Sequence, residues 1–237
     1  MKICATTLGE TGGDLLSMTL AIGYGLSSLL LISFFAVTLA AQLAARQHHP
    51  ALFWLVILST STAGTTISDY MDRTLGLGYA IGSGILISLL LGILLLWYRV
   101  EGSISVDTVK TRKAEVFYWS AILVSNTLGT AFGDFLADSS GLGFAGGALV
   151  VAFLIGITIF AYYFTSISRT LLFWAAFILT RPLGATIGDL LTKPHEKGGL
   201  NFGTIGSSLI LGGVLLVLVC FTAARAGKWR SQRDSNS

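Results

Sequence analysis

The sequence predicts an all-α polytopic membrane helical bundle, with eight transmembrane helices in four tandem two-helix repeats that form one membrane domain over residues 1–237. Three observations predict it. Charged residues make up 11% of the chain and hydrophobic ones 53%, whereas a soluble domain carries about 25% charged residues. The apolar stretches are continuous and long enough for membrane helices, which need about 20 residues. They lack the strict alternation of a barrel strand, the other structure that pairs its backbone within lipid. Finally, one short pattern, Gly-x-x-x-(Gly/Ser)-Asp, closes every second apolar stretch.

The pattern occurs at Gly9–Gly13–Asp14, Gly64–Ser68–Asp69, Gly129–Gly133–Asp134 and Gly184–Gly188–Asp189. The aspartates are spaced by 55, 65 and 55 residues, the fixed-period self-similarity of a repeat architecture. An aromatic follows each aspartate: Tyr24, Tyr79 and Phe144 by ten residues, Phe202 by thirteen. A tryptophan precedes three of them by fifteen residues: Trp54, Trp119 and Trp174. The repeats are therefore expected at about 1–46, 47–100, 115–168 and 169–224. Between the pairs lies a polar cytoplasmic linker, 101–114, and a basic tail occupies 225–237. The spans fall near 1–18, 24–45, 51–71, 77–99, 115–136, 143–166, 170–191 and 203–224.

Orientation follows from the basic residues. Arg46, Arg99, Lys110, Arg112, Lys113, Arg169, Arg225, Lys228, Arg230 and Arg233 lie after even-numbered spans, and only Arg73, Lys193 and Lys197 on the other face. The positive-inside rule then places both termini in the cytoplasm. Cys4 and Cys220 would face that reducing side and are expected as free thiols. The net charge of +3 does not indicate nucleic-acid binding. With no nucleotide-binding motif in the sequence, no cofactor is expected, and the expected partners are the lipid bilayer and a small cation. Composition does not set the oligomeric state.

Four tandem two-helix units carrying Trp54, Trp119 and Trp174 resemble a bacterial family of uncharacterised membrane proteins, built from four copies of a repeat of unknown function. The resemblance covers essentially the whole chain and implies the bacterial inner membrane. It brings no activity, substrate or site. The chain departs from the pattern in the first repeat, which lacks the tryptophan.

The functional argument therefore rests on the residues themselves. A two-helix repeat returns the chain to the same side, so the first helices of all repeats run parallel. Asp14, Asp69, Asp134 and Asp189 then share one depth. An ionisable group there costs about 2.5–3.5 kcal/mol even on lenient insertion scales, which makes it a functional-site candidate. The alternative is that each aspartate caps the turn that follows it, as expected for Asp72 and Asp138. The small residues Gly9, Gly13, Gly64, Ser68, Gly129, Gly133, Gly184 and Gly188 let helices approach closely and gather the motif helices around one axis or in two pairs. Clustered carboxylates must be protonated, paired with a base or bound to a cation.

Two residues break the repeat. Glu10 stands where Thr65, Thr130 and Ala185 stand in the other copies, four residues before the aspartate. Arg181 stands where Thr6, Ser61 and Asn126 stand, eight residues before it. Arg181 is expected to neutralise Glu10, either within a site or as a static pair that fixes helix order. Asp69 and Asp134, with neither residue on their helix, are expected to depend most on a proton or cation. The tryptophans are expected as packing or interfacial anchors. His48, His49 and His195 do not recur between repeats and are not expected to bind metal.

These residues suggest a secondary transporter or channel for a small cation, a proton or a divalent metal, working through Asp14, Asp69, Asp134, Asp189, Glu10 and Arg181. The alternative is a non-catalytic structural or assembly protein. An intramembrane enzyme is the remote third. Intramembrane aspartyl proteases place Gly-x-Gly before one aspartate, and here the residues two before are Gly12, Ile67, Phe132 and Ile187. One further expectation concerns the start. Thirteen residues precede Asp14, and at 1.5 Å each they cover about 20 Å of a core about 30 Å thick. The expectation is that coding sequence upstream of Met1 supplies the missing tryptophan segment.

Overall fold

The computed structural model describes residues 1–45, 49–106, 109 and 111–234, with side chains through residue 222. Arg46, Lys110 and the side chains of Arg225, Lys228, Arg230 and Arg233, which carry part of the expected orientation, lie outside the described residues, as does His48. Among those described there are eight α-helices: α1 Lys2–Asp14, α2 Tyr24–Ala44, α3 Pro50–Asp69, α4 Tyr79–Glu101, α5 Arg112–Asp134, α6 Gly143–Phe164, α7 Arg169–Thr192 and α8 Thr204–Asp234. The last takes in most of the basic segment expected to lie beyond the final span.

Local chemistry sets several boundaries. Pro50 occupies the first turn of α3, where its missing N–H costs nothing. Thr111 caps α5, its hydroxyl accepting from Ala114 N at 3.0 Å, with Glu115 in the first turn, both favourable at the positive end of the helix dipole. Gly102 ends α4 in the left-handed region at φ 73°. Three of the four motif aspartates are followed by a widened turn, Leu15–Thr19, Tyr70–Thr74 and Phe135–Ser139. Its bonds run five residues back, as from Leu75 N to Tyr70 O at 2.9 Å, and such π-turns cluster at functional positions. In the fourth repeat α7 continues to Thr192 and ends at Lys193-Pro194.

The motif helices close a ring around one axis: α1 packs on α3, α3 on α5, α5 on α7 and α7 on α1. The even-numbered helices form an outer layer, each against the motif helix of the next repeat: α2 on α3, α4 on α5, α6 on α7 and α8 on α1. Each repeat therefore leans on its neighbour rather than folding on itself. Burial follows this layering. The apolar stretches of α2, α4, α6 and α8 bury only 22%, 28%, 17% and 11% of their residues, those of α3 and α7 56%. The outward residues, such as Leu89, Phe153, Leu209 and Val217, are large and apolar.

Among the described residues six helices are long and apolar enough to cross a membrane: α2, α3 with its π-turn, α4, α6, α7 and the Thr204–Thr222 part of α8. Two of the eight expected spans are not among them. α1 has only thirteen residues, and α5 opens on Arg112, Lys113 and Glu115 and carries Asn126. The linker, expected as a polar cytoplasmic loop, also makes apolar contacts. Ile104, Val106 and Val109 pack against the core, and Trp174 donates its indole N–H to Ile104 O at 3.0 Å. Above them Trp97, Tyr118, Trp119 and Trp174 form an edge-to-face cluster with centroids 5.1–6.4 Å apart, which anchors the end of the ring at which α5 and α7 begin.

Candidate functional site

The ring brings equivalent positions of the four repeats together in layers. Each first motif glycine lies against the residue eight before the aspartate in the next repeat: Gly9 against Ser61, Gly64 against Asn126, Gly129 against Arg181 and Gly184 against Thr6. One turn on, Gly13 lies against Thr65, Gly133 against Ala185 and Gly188 against Glu10. The last repeat meets the first by the same contacts, so the cycle is complete.

Close approach around the ring makes its axis polar. Arg181 is fully buried, its stem lying over Gly129 and its guanidinium reaching the other three motif helices. Nη1 donates to Glu10 Oε2 at 2.9 Å and to Thr6 O at 3.3 Å on α1. Nη2 donates to Ser61 O at 3.2 Å and Thr65 Oγ1 at 2.6 Å on α3, and to Thr130 Oγ1 at 2.8 Å on α5. Thr65 and Thr130 pass the interaction on, donating to Glu10 Oε2 at 3.1 and 3.2 Å. The ion pair expected between Arg181 and Glu10 is thus present, with two threonine hydroxyls bridging its members. A buried charge is tolerated only when it is paired and hydrogen-bonded in this way.

A second charged layer lies one turn further on. Arg73 Nε pairs with Asp69 at 2.8 Å, and its Nη2 with Asp134 at 3.3 Å. Lys193 Nζ lies 2.5 Å from Asp14 and 3.0 Å from Asp189. This corrects one expectation. Asp69 and Asp134 do not lack a base, because Arg73 bridges them. Asp189, on the helix of Arg181, pairs instead with Lys193, while Arg181 turns to Glu10 as expected. The capping alternative is absent here as well: Asp14, Asp69 and Asp134 make no side-chain cap bond to the turns they precede. Of the residues expected in turns, Asp138 is exposed and accepts from the Tyr79 hydroxyl at 3.4 Å. Asp72 is buried and accepts from Ser68 Oγ at 3.4 Å.

Arg73 and Lys193 are the functional candidates that sequence reasoning missed, having been read as loop residues of the less basic face. Each sits four residues after a motif aspartate, the spacing that puts two side chains on one helix face. Lys193 Nζ stands between Asp14 and Asp189, whose negative charges favour its ammonium form. Taken together, five carboxylates (Glu10 and the four aspartates) face three bases. Among the described residues no group of three or more His, Cys, Asp or Glu is placed to hold a metal ion. Cys4 and Cys220 are free thiols, and His195 bonds only within its loop, to Gly199 O at 2.8 Å.

An apolar outer layer around a ring of repeats with a buried charged axis is the build of a polytopic membrane protein made by internal repetition. The chain belongs to the family described as Repeat of Unknown Function (DUF347), whose model matches it four times, over residues 1–48, 52–103, 117–168 and 172–227. No curated protein and no solved structure matches the chain.

Proposed function

We propose that the protein is a secondary transporter or channel of the bacterial inner membrane, with the proton as the cation that its carboxylates carry. On this reading all eight helices span the bilayer, both termini are cytoplasmic, and the aspartate layer faces the outer half. The observation that carries the reading is the charge count on the axis. Among the described residues of the axis, five carboxylates against three bases leave two negative charges uncompensated in a low-dielectric core, and protons or a cation must balance them. The absence of a metal-type cluster among the described residues favours the proton over the divalent metal. No enzymatic step is assigned.

One observation favours the other reading, a non-transporting structural protein. Arg181 ties Glu10 to the three other motif helices, as a pair that only orders the bundle would. Proton flux into vesicles under an imposed potential separates the two, with wild type compared with Asp134→Asn. This substitution leaves Arg73 its partner Asp69, so the fold should persist. Wild type is expected to conduct, and Asp134→Asn to lose flux without a lower melting temperature. A silent wild type favours the structural reading, and normal flux in Asp134→Asn removes that residue from the site.

A further inference from the structure

The position four residues after the motif aspartate reads Met18, Arg73, Asp138 and Lys193 through the repeats. A base therefore appears in alternate repeats only. The ring turns this alternation into a regular pattern. Arg73 joins its own Asp69 to Asp134 of the next repeat, and Lys193 joins its own Asp189 to Asp14, the next around the ring. The two arrangements are related by half a turn about the axis. Each pair of carboxylates from neighbouring helices thus holds one tethered positive charge. Each base is also steadied from its side: the Arg73 guanidinium lies over the Tyr79 ring, 5.9 Å from its centroid, and Lys193 Nζ is 3.8 Å from the Met18 sulfur.

With both carboxylates ionised, a pair and its base carry one net negative charge, which one proton balances. A divalent ion would overshoot by one. Any metal ion needs several oxygen ligands, and the Lys193 nitrogen already stands 2.5 and 3.0 Å from the oxygens on offer. We propose that Arg73 and Lys193 are specificity-determining residues, tethered counter-cations that reserve the two aspartate pairs for protons and keep mobile cations out. This rests on the transport reading for its purpose, but its geometry can be tested without it.

The test removes each tether from the full chain and offers a free cation of the same chemistry. Lys193→Ala and Arg73→Ala are melted in detergent with millimolar methylammonium or guanidinium, and proton and methylammonium flux is measured in vesicles. Both variants should melt below wild type. Methylammonium should restore Lys193→Ala and guanidinium Arg73→Ala, with wild type responding to neither. In vesicles Lys193→Ala should pass methylammonium, which wild type excludes. If neither cation raises either variant's melting temperature, or if wild type responds equally, the assignment is overturned. Lys193→Met and Arg73→Met, which keep an apolar stem, replace the alanine variants if those fail to fold. Selective rescue of melting without proton flux in any form would uphold the tethered cations and overturn the transport reading, so the two fail separately.

Discussion

Arg181→Ala is expected to destabilise the protein by about 3–5 kcal/mol, the cost of leaving a buried charge without its partner. Three effects coincide at this residue. Glu10, itself buried, loses its ion pair. Thr65 and Thr130 lose the donor they share, and the carbonyl of Ser61 loses a bond. A cavity also opens against Gly129, which the arginine stem now covers. Arg181→Lys should recover little of this, because one ammonium cannot reproduce a fork that reaches three helices. Glu10→Gln alone should be milder, since the amide oxygen still accepts from the threonines. Combined with Arg181→Ala it should recover part of the loss, because the uncompensated charge is gone. Unfolding of the four forms in detergent measures the coupling. Additive effects in the double variant would show that the two side chains do not act as a pair.

The Arg181–Glu10 pair was legible in the sequence for a physical reason. Two-helix repeats make the motif helices parallel, so equivalent positions face equivalent positions. The two residues that departed from the repeat at adjacent layers therefore had few partners but each other. Arg73 and Lys193 were not legible by the same reasoning. Their polar neighbours, Asp72 and the Lys193-Pro194-His195-Glu196-Lys197 run, look like extramembrane loop. The i,i+4 spacing to Asp69 and Asp189 was the available signal. It gains meaning only once the ring places Asp134 and Asp14 within reach.

The π-turns left no signal, because Leu15–Thr19, Tyr70–Thr74 and Phe135–Ser139 share no residue pattern that excludes an ordinary helical turn. The ring order lies between these extremes. Small residues at Gly9, Gly64, Gly129 and Gly184 indicated close contact. They left open whether four helices meet around one axis or pair off, because either arrangement buries the same glycines. The packing of each outer helix on the next repeat was equally hidden, since the repeat looks the same whichever neighbour it touches.

Gly64→Ala is the second large effect expected, and it tests the ring directly. An added Cβ at Gly64 would lie 2.9 Å from both Asn126 C and Thr127 N. Those atoms are α5 backbone, not the tip of a side chain that can swing away. The helices must separate or the register must shift, and overpacking of this kind costs about 1–3 kcal/mol and occasionally more. Separation would also weaken the bond from Asn126 Nδ2 to Thr60 Oγ1, 2.9 Å across the same contact. Gly92→Ala on α4 is the control. Nothing lies within 4 Å of its added Cβ, and alanine is the better helix former by about 1 kcal/mol. Gly92→Ala should melt at or above wild type, and Gly64→Ala well below it. Equal melting temperatures for the two variants would mean that α3 and α5 do not meet through this glycine, and the closed ring would lose one of its four contacts.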